Sequence, residues 1–214
     1  RPFTQCILMA RRTKEEALAT RQQLLEAAQR VFSEKGVSRT SLQDIALAAG
    51  ASRGAIYWHF KNKADLFNAM MECAILPIEQ AMQQIGHDPL QDPLLELERA
   101  ILLAMRSIIS DESTRVIFDI ATLKVEYVDE LLVVKARHVQ AYSAGTREMQ
   151  RSLQEAAARR GVTPLIPPEL AAPGLHALMA GLIHTWLLDP TGFDLMVVSQ
   201  GAIRTYLTGL GFQF

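Results

Sequence analysis

The sequence is poor in the residues that build disulfide frameworks, metal clusters and membrane spans. Its 214 residues include two cysteines, Cys6 and Cys73, which give neither a disulfide framework nor a metal-ligand spacing. No stretch approaches about 18 uninterrupted apolar residues, the length that crosses a bilayer. We therefore expect a protein of the reducing cytoplasm, without a metal, a cofactor or a membrane partner.

Signatures of catalysis are missing as well. We identify no phosphate-binding Gly-Lys-Ser/Thr loop, no His-Glu-x-x-His pair and no nucleophile elbow, and the histidines and carboxylates are scattered along the chain. We therefore expect no catalytic residues and interpret the chain as a binding protein rather than an enzyme.

Charge is distributed unevenly between the two parts of the chain. Residues 1–65 hold eleven Lys and Arg against six Asp and Glu, a balance of +5, whereas residues 66–214 hold eleven against seventeen, a balance of −6. A basic first part on an acidic remainder suits a polyanionic partner for the first part only. Chance sorting of surface charge is the alternative explanation.

Apolar residues recur with helical periodicity along almost the whole chain, whereas alternation of apolar and polar residues does not reach the length of a convincing strand. The pattern predicts an all-α fold of about nine helices. We expect a three-helix helix-turn-helix DNA-binding domain at 10–62 and a larger helical ligand-binding and dimerisation domain at 63–214. Residues 1–9 are expected to be a disordered extension, either from an upstream start or added for expression.

Start and stop signals give the helix limits. The first four helices are marked by capping boxes at Thr13–Glu16 and Thr40–Gln43, stops at Gly36 and Gly50, and N-caps at Ser52 and Asn62. Beyond a break at Gly86, Pro89 and Pro93, the predicted helices span 94–110, 114–124, 128–160, 168–188 and 194–210.

The stretch Ser41 to Phe60, SLQDIALAAGASRGAIYWHF, predicts two short helices joined by a tight turn at Gly50. Small residues in both helices allow a close crossing and a close approach of the second helix to a groove floor. Arg53 is suited to a guanine edge and the Ala55 methyl to a thymine methyl. The candidate DNA-binding residues are Thr40, Ser41, Leu42, Ser52, Arg53, Gly54, Ala55, Tyr57, Trp58, His59, Lys61 and Lys63.

Two alternatives to DNA binding remain open for this stretch. Its rings would be core residues in an ordinary helical hairpin, which we expect for Ile56 and Phe60, whereas Trp58 either packs against the bundle edge or lies along the DNA backbone. The two-helix unit would otherwise be a protein-binding surface. Salt separates these interpretations, because phosphate contacts make binding fall steeply as salt rises.

The segment TSLQDIALAAGASRGAIYWHFKNKADLF closely resembles the helix-turn-helix of the TetR family of bacterial transcriptional regulators. The preceding ARRTKEEALATRQQLLEAAQRVFSEKGV is similar to the AcrR-like branch of multidrug-efflux repressors. The likeness covers about residues 10–70, and the remainder agrees in length and helix count only. The motif G-x-x-x-G-x-[IV]-Y-x-[HY]-F is met by Gly50, Gly54, Ile56, Tyr57, His59 and Phe60, with Lys63 three positions beyond.

The resemblance implies a repressor that binds a palindromic operator in double-stranded DNA as a homodimer. A small hydrophobic or aromatic effector would release it by tilting the helix that begins at Lys63, and the controlled operon would encode a multidrug efflux pump. Control of a catabolic or lipid pathway is the alternative. The dimer would form through the last two long helices, whose contributing residues are Ala177, Ala180, Gly181, His184, Val197, Val198, Ala202, Ile203, Tyr206 and Leu207.

The effector pocket is expected among inward residues of the middle helices. Methionine adapts to varied apolar ligands, Phe118 would stack on a ring, and Thr122 or His176 would orient the ligand by a hydrogen bond. The candidate ligand-binding residues are Ile101, Ala104, Met105, Ile108, Phe118, Thr122, Met149, His176 and Met179. The carboxylates that would meet a cationic effector, if they point inward, are Asp119, Glu126 and Glu148.

Overall fold

A computed structural model of the chain describes residues 2–83 and 90–214, and the side chains of 14–80, 90–128 and 130–214. The described residues form nine α-helices and one short 3-10 helix, with no strand. The all-α prediction is confirmed. The expected break at Gly86 and Pro89 lies outside the described residues.

The helices follow one another with short connections. In chain order they are α1 Pro2–Lys35, α2 Leu42–Ala48, α3 Arg53–His59, α4 Lys63–Gln83, α5 Pro93–Ser110, α6 Glu112–Leu123, the 3-10 helix Asp129–Leu131, α7 Leu132–Arg160, α8 Pro168–Leu188 and α9 Leu195–Gly209. From α2 onward the predicted limits agree within a few residues. The break before α6 is narrower than expected, because the Asp111 carboxylate accepts a hydrogen bond from the Thr114 backbone N–H at 2.9 Å and so caps α6 directly.

The start of α1 differs from the prediction. The helix begins at Pro2 rather than at Thr13, so residues 2–9 are helical where a disordered extension was expected. Proline is tolerated in the first turn of a helix, and no glycine follows it before Thr13. Because Leu, Met, Ala and Arg in this segment favour helix, the helix does not need to restart at a capping box.

The cap of α2 is displaced by one residue from the predicted Thr40. The Ser41 hydroxyl accepts from the Asp44 N–H at 3.2 Å, and the Asp44 carboxylate accepts from the Ser41 N–H at 2.9 Å. This reciprocal pair is a capping box with aspartate in the place of glutamine. The stops at Gly36 and Gly50 are confirmed, with φ angles of 78° and 64° in the left-handed region that glycine adopts without strain.

The chain forms two compact units. The first comprises the described residues of Arg1–Glu72 together with Asp119–Lys135. Its core contains the buried side chains of Phe32, Ile45 and Phe67, with the two phenyl rings 6.1 Å apart. The predicted domains are continuous segments of the chain. The first compact unit also includes the end of α6 and the α6–α7 connection, which the prediction assigned to the other domain.

The second unit comprises the described residues of Cys73–Phe118 and Ala136–Phe214. α9 packs against both α5 and α8, and the Tyr206 hydroxyl of α9 donates to the Ala171 carbonyl of α8 at 2.8 Å. Arg204 of α9 is paired with the buried Glu98 carboxylate of α5 at 2.6 Å. These contacts hold α9 against its two neighbours.

α8 differs from the other described helices in hydropathy. Its best 18-residue window has a mean hydropathy of 1.2 and is only 28% buried, so by length and composition it would be able to cross a membrane. A single helix of this kind is weak evidence for a span, because core helices of soluble proteins meet the same criterion. Because α8 is apolar but mostly uncovered within its own subunit, its exposed residues have to account for its composition.

Candidate nucleic-acid interface

α3 has an anchored face and an exposed face. Ile56 and Phe60 are buried in the first unit, as predicted. Arg53 and Tyr57 lie one turn apart on the exposed side, and the Arg53 guanidinium carbon is 5.7 Å from the centroid of the Tyr57 ring. The helix therefore presents a cation and a phenol outward from a fixed base.

After Arg53, the N-terminal turn of α3 carries only small side chains at Gly54 and Ala55. The Ser52 hydroxyl oxygen accepts from the Ala55 N–H at 3.1 Å, which leaves its hydrogen available to an acceptor such as a phosphate oxygen. A methyl group added to the exposed Gly54 would meet nothing closer than the Ser52 hydroxyl, at 3.8 Å. An extended partner surface would therefore reach the backbone of this turn.

The residues Gly50 to Gly54 have the spacing G-x-S-x-G of a nucleophile elbow, although no such motif was identified from the sequence. In that motif the serine stands on a sharp turn between a strand and a helix. Here Ser52 follows helix α2 and caps helix α3, so its hydroxyl serves as a helix cap.

Trp58 and His59 lie at the C-terminal end of α3. Trp58 is 73% exposed, and its ring stands T-shaped to the His59 ring with 4.5 Å between centroids, so packing against the bundle edge is not what the structure shows. Burial, and then the positive charge of Arg21, lower the pKa of His59 below its usual value of 6.5. Arg21, which the sequence analysis missed, lies over the Phe60 ring at 4.8 Å and adds positive charge at this end of α3.

Two further candidates have different environments at the surface. The Lys61 side chain is exposed, and only its backbone N–H is used, donating to the Asp65 carboxylate at 3.0 Å. The exposed Ser41 directs its hydroxyl hydrogen to the Asp44 carboxylate at 2.6 Å. Lys61 is thus a solvent-facing cation, whereas Ser41 is committed to its capping box.

Three of the predicted DNA-binding residues have buried side chains and do not face solvent as the other candidates do. Thr40 is 2%, Leu42 6% and Lys63 8% exposed. The Thr40 hydroxyl donates to the Gly36 carbonyl at 2.8 Å, and Leu42 belongs to the buried face of α2. The Thr40 hydroxyl and the Lys63 ammonium face inward because the turn between α1 and α2 has backbone carbonyls that must find donors. Leu42 is buried as an apolar residue of the inner face of α2.

The Lys63 ammonium makes three contacts. It donates to the Thr40 carbonyl at 2.9 Å and to the Ser38 carbonyl at 3.3 Å, and it is 3.0 Å from a carboxylate oxygen of Glu130. An ammonium has three hydrogens to donate, so these acceptors use all of them. Lys63 therefore holds the α1–α2 turn instead of facing a phosphate.

Two family descriptions match this chain: "Bacterial regulatory proteins, tetR family" over residues 24–70 and "MAATS-type transcriptional repressor, C-terminal region" over residues 92–212. The second covers more than half of the sequence, and the first contains the helix-turn-helix described above. The chain belongs to the TetR family of bacterial transcriptional regulators.

Individual TetR-family proteins agree with it over most of their length. The regulator TtgR of Pseudomonas putida is 36% identical over 188 residues, which cover 88% of this chain and 90% of TtgR. The crystal structure of NalD, the secondary repressor of the MexAB-OprM multidrug efflux pump in Pseudomonas aeruginosa, has a TM-score of 0.82 at 36% identity and covers 92% of this chain and 98% of NalD. The complex of Stenotrophomonas maltophilia SmeT with triclosan has a TM-score of 0.79 at 30% identity, over 89% and 90% of the two chains.

The predicted effector residues of this TetR-family chain divide by burial. Those in the core of the second unit are Ile101, Ala104, Met105, Ile108 and Met149, and those half-buried in it are Phe118, His176 and Met179. Thr122 is exposed and belongs to the first unit, so its side chain does not lie in the core of the second unit with the other candidates. The buried side of α6 follows Thr114, Ile117 and Ala121, and residue 122 lies about 100° round the helix from residue 121.

Two polar groups of α7, Tyr142 beside His176 and the buried Thr146 hydroxyl, were not among the predicted effector residues. The ring of Tyr142 meets the His176 ring edge-on, with 4.6 Å between centroids. One turn after Tyr142, the buried Thr146 hydroxyl has no hydrogen-bond partner among the described atoms. Burial, and then the charge of His138, lower the pKa of His176 below 6.5. The spacing of Tyr142, Thr146 and Met149 places them on one face of a helix, so the first two could have been predicted together with Met149.

The carboxylates considered for a cationic effector are engaged elsewhere or exposed. Asp119 is 2.8 Å from the Lys124 ammonium, and Glu148 is 2.8 Å from the Arg151 guanidinium. Glu126 is exposed. None of the three is an unpaired carboxylate inside the second unit.

α8 and α9 together expose a face of small and apolar residues. Within the subunit, Leu188 is 63% and Val197 67% exposed. The exposed members of this α8–α9 face are Ala177, Ala180, Gly181, His184, Leu188, Val197 and Val198, whereas Ile203 and Leu207 are buried and Ala202 and Tyr206 are half-buried. The face accounts for the low burial of an otherwise apolar α8.

Proposed function

We propose that this protein is a ligand-responsive transcriptional repressor of a multidrug efflux operon. It binds a palindromic operator as a dimer in the cytoplasm and is released by a small hydrophobic effector. The observation that carries the proposal is the form of α3, which exposes Arg53, Tyr57 and Trp58 while Ile56 and Phe60 anchor it. The efflux assignment is supported by the likeness to NalD, an efflux-pump repressor that agrees with this chain over nearly its whole length.

The exposed residues of α3 divide the work of recognition. Arg53 has a guanidinium whose paired donors match the acceptors of a guanine edge, and Ala55 offers a methyl for thymine. Ser52, Tyr57 and Lys61 bring hydroxyl and ammonium donors for phosphates. Trp58 lies along the sugar-phosphate backbone and the neutral His59 donates a hydrogen bond there. Phosphate contacts set the register of α3 in the groove, while Arg53 and Ala55 read the sequence.

A second copy of the chain covers the α8–α9 face. The small residues Ala177, Ala180 and Gly181 allow close approach between helices, and Leu188 and Val197 supply apolar area. Two helices from each subunit then form a four-helix interface with two-fold symmetry. Two α3 helices related by that symmetry read the two halves of a palindrome.

The effector is an uncharged or weakly charged aromatic compound with a hydrogen-bonding group. Phe118 and Met179 provide apolar and ring contacts in the second unit, and the neutral His176 and the unpartnered Thr146 hydroxyl offer polar ones. Since Asp119 and Glu148 already pair with cations, a cationic effector gains little from them. Triclosan, with which SmeT was crystallised, is a suitable first probe.

Release of DNA would follow from a change in α4. This helix, Lys63–Gln83, contributes residues to both compact units. An effector that favours a state with α4 tilted changes the separation of the two α3 helices, and adjacent major grooves are no longer matched. A preference of about 3–5 kcal/mol between the two states is enough to empty the operator.

The experiment that tests the proposal begins with selection of duplexes from a random pool by the purified protein. Fluorescence anisotropy then measures its affinity for the selected duplex and for a scrambled duplex, at two salt concentrations, with and without triclosan and a panel of efflux-type compounds. We expect selective binding that weakens steeply with salt and is released by an uncharged aromatic compound.

The outcomes separate the parts of the proposal. Selective binding that no compound releases would retain the DNA-binding regulator and remove the efflux assignment. Release by cationic compounds only would contradict the proposed effector class. Failure to select any duplex, or binding that is insensitive to salt, would overturn the regulator and favour a protein-binding surface.

A further inference from the structure

The turn between α1 and α2 is held by groups that come from far along the chain. It comprises Gly36 to Thr40 and sets where Ser41 caps α2, and so where α2 and α3 lie. The last turn of α1 and the turn itself have backbone carbonyls and N–H groups that no helix ladder satisfies. Two lysines outside the turn, Lys63 and Lys124, satisfy several of them.

Lys124 follows the last residue of α6 and contacts the end of α1 twice. Its ammonium donates to the Ser33 carbonyl at 2.9 Å and to the Ser33 hydroxyl at 3.2 Å, and its own carbonyl accepts from the Val37 N–H at 3.1 Å. A cation at the C-terminal end of a helix is favoured by the helix dipole. Asp119, one turn earlier on α6, holds the ammonium in place at 2.8 Å.

Lys63 satisfies the other side of the same turn, through the carbonyls of Ser38 and Thr40, and pairs with Glu130 of the α6–α7 connection. We call the two lysines and the segment they hold, the end of α1 and the turn from Ser33 to Thr40, the lysine clasp. Every member of the clasp lies in the first unit. The side chain of Lys124 is 32% and that of Lys63 9% exposed, so both ammonium groups are directed to protein acceptors.

Each lysine stands at the end of a helix shared by the two units. α6, Glu112–Leu123, begins among residues of the second unit and ends in the first, and Lys124 comes directly after it. α4 begins with Lys63 in the first unit and continues into the second. A displacement of α6 along its axis therefore pulls directly on the contact between Lys124 and Ser33.

We infer that Lys124 is a positioning residue for operator recognition, which sets the placement of α2 and α3 by holding the α1–α2 turn without touching DNA. The inference rests on the proposed function and adds a second route, through α6, by which the second unit controls the recognition helix. A phosphate-binding role is disfavoured, because Ser33 and Asp119 already occupy the ammonium.

The test compares three variants of the full-length protein with wild type. Lys124→Met removes the ammonium and keeps the length of the side chain, Lys124→Arg restores a cation, and Lys135→Met removes an exposed lysine of the same segment as a matched control. The affinity of each is measured for the duplex selected by wild type and for a scrambled duplex, over a range of salt. Hydrogen–deuterium exchange is followed in residues 33–41.

We expect Lys124→Met to bind the selected duplex about tenfold more weakly, the equivalent of one lost charge-assisted hydrogen bond. Its affinity for the scrambled duplex and its salt dependence should match those of Lys135→Met, and exchange in residues 33–41 should rise. Lys124→Arg should recover most of the selective affinity. A substitution that only lowered global stability would raise exchange throughout the chain and leave the affinity of the folded fraction unchanged.

The inference is overturned if Lys124→Met binds the selected duplex as wild type does. It is equally overturned if both duplexes lose affinity alike and the salt slope falls by about one, which is the signature of a phosphate contact. If wild type selects no duplex, the proposed function has failed and the inference falls with it. Selection by wild type with full retention by Lys124→Met removes the inference alone.

Discussion

At the scale of single residues, neighbouring cations of this protein have different roles because their surroundings differ. Arg53 and Lys61 face solvent on or beside α3, whereas the Lys63 ammonium has three protein acceptors within 3.3 Å. A lysine whose hydrogens are all used has none left for a phosphate. Substitutions of Arg53 and Lys61 can therefore test base recognition and phosphate binding separately.

Arg53→Ala should weaken binding to the selected duplex by about 1–3 kcal/mol and relax sequence preference at one base pair of each half-site, because a bidentate contact to a base edge is lost. Anisotropy titrations against the selected duplex and its single-base variants measure both effects. Lys61→Ala is the matched control: it should weaken all duplexes alike and reduce the salt slope by about one. Equal losses across all duplexes for Arg53→Ala would contradict the base contact.

His176 leads to a prediction about pH. Burial, and then the charge of His138, hold its pKa in the folded state below the 6.5 of an exposed histidine. As the pH falls through 6.5, the unfolded chain binds a proton that the folded chain does not, so the free energy of unfolding decreases until the folded state is protonated as well. Urea unfolding between about pH 7.5 and pH 5 should show a smaller decrease for His176→Gln than for wild type. Identical pH profiles would mean that His176 is not buried as a neutral group.

At the scale of secondary-structure elements, close contacts between helices depend on small residues. α8 and α9 meet where Gly174 faces Tyr206, whose hydroxyl donates to the Ala171 carbonyl at 2.8 Å. A methyl group at position 174 would collide with that hydroxyl and stand 3.2 Å from the ring carbon that bears it. The glycine is thus required by the approach of Tyr206, although glycine inside a helix costs up to about 1 kcal/mol relative to alanine.

Gly174→Ala should lower the free energy of unfolding by about 1–2 kcal/mol, because overpacking and the lost hydrogen bond outweigh the gain in helix propensity. In a Tyr206→Phe background the colliding hydroxyl is absent, so the same substitution should cost much less. Urea unfolding of the two single variants and the double variant forms a double-mutant cycle that isolates this contact. Additive effects would show that Gly174 and Tyr206 do not constrain each other.

At the scale of the whole molecule, one subunit leaves the α8–α9 face uncovered. α8 is apolar and 28% buried, with Leu188 63% exposed, and Val197 of α9 is 67% exposed beside it. An exposed apolar face of this kind is typical of an interaction surface. If a second copy of the chain covers the α8–α9 face, the geometry of that dimer interface sets the distance between the two α3 helices. Oligomeric state and operator affinity should therefore change together.

Ala180→Glu should convert a dimer to a monomer, because it would bury an unpaired charge in the proposed interface. The residue is exposed within the subunit, so the monomer should keep its helical circular dichroism. Sedimentation velocity gives the mass, and anisotropy should show a loss of affinity for the palindrome that is much smaller for a single half-site. Ala158→Glu, on an exposed position of α7, is the control and should remain dimeric. A dimeric Ala180→Glu would assign the face to another partner.

Features governed by neighbours in the sequence could be predicted from it. The caps Ser52 and Asn62 and the stops at Gly36 and Gly50 depend on residues within one turn, and each was confirmed. The predicted start of α1 was not confirmed. A capping box favours a new helix start at Thr13, whereas the helix propensity of the preceding residues favours one uninterrupted helix, and the balance of these two free energies decides the outcome. Thr40 and Leu42 were misplaced because a shift of one residue in the cap changes which side of the helix start faces inward.

The amino-acid sequence by itself determined the helical class, the helix-turn-helix and the outward chemistry of α3, because these depend on local propensity and on contacts a few residues apart. Only the tertiary structure decided which cations are free. Lys124 reaches Ser33 across 91 residues, and Lys63 meets Glu130 of the distant α6–α7 connection. Such contacts leave no local signal, since they depend on where the chain returns in space and not on what stands beside each residue. The fold thereby leaves Arg53 and Lys61 exposed to solvent and holds Lys63 and Lys124 against acceptors of the protein itself.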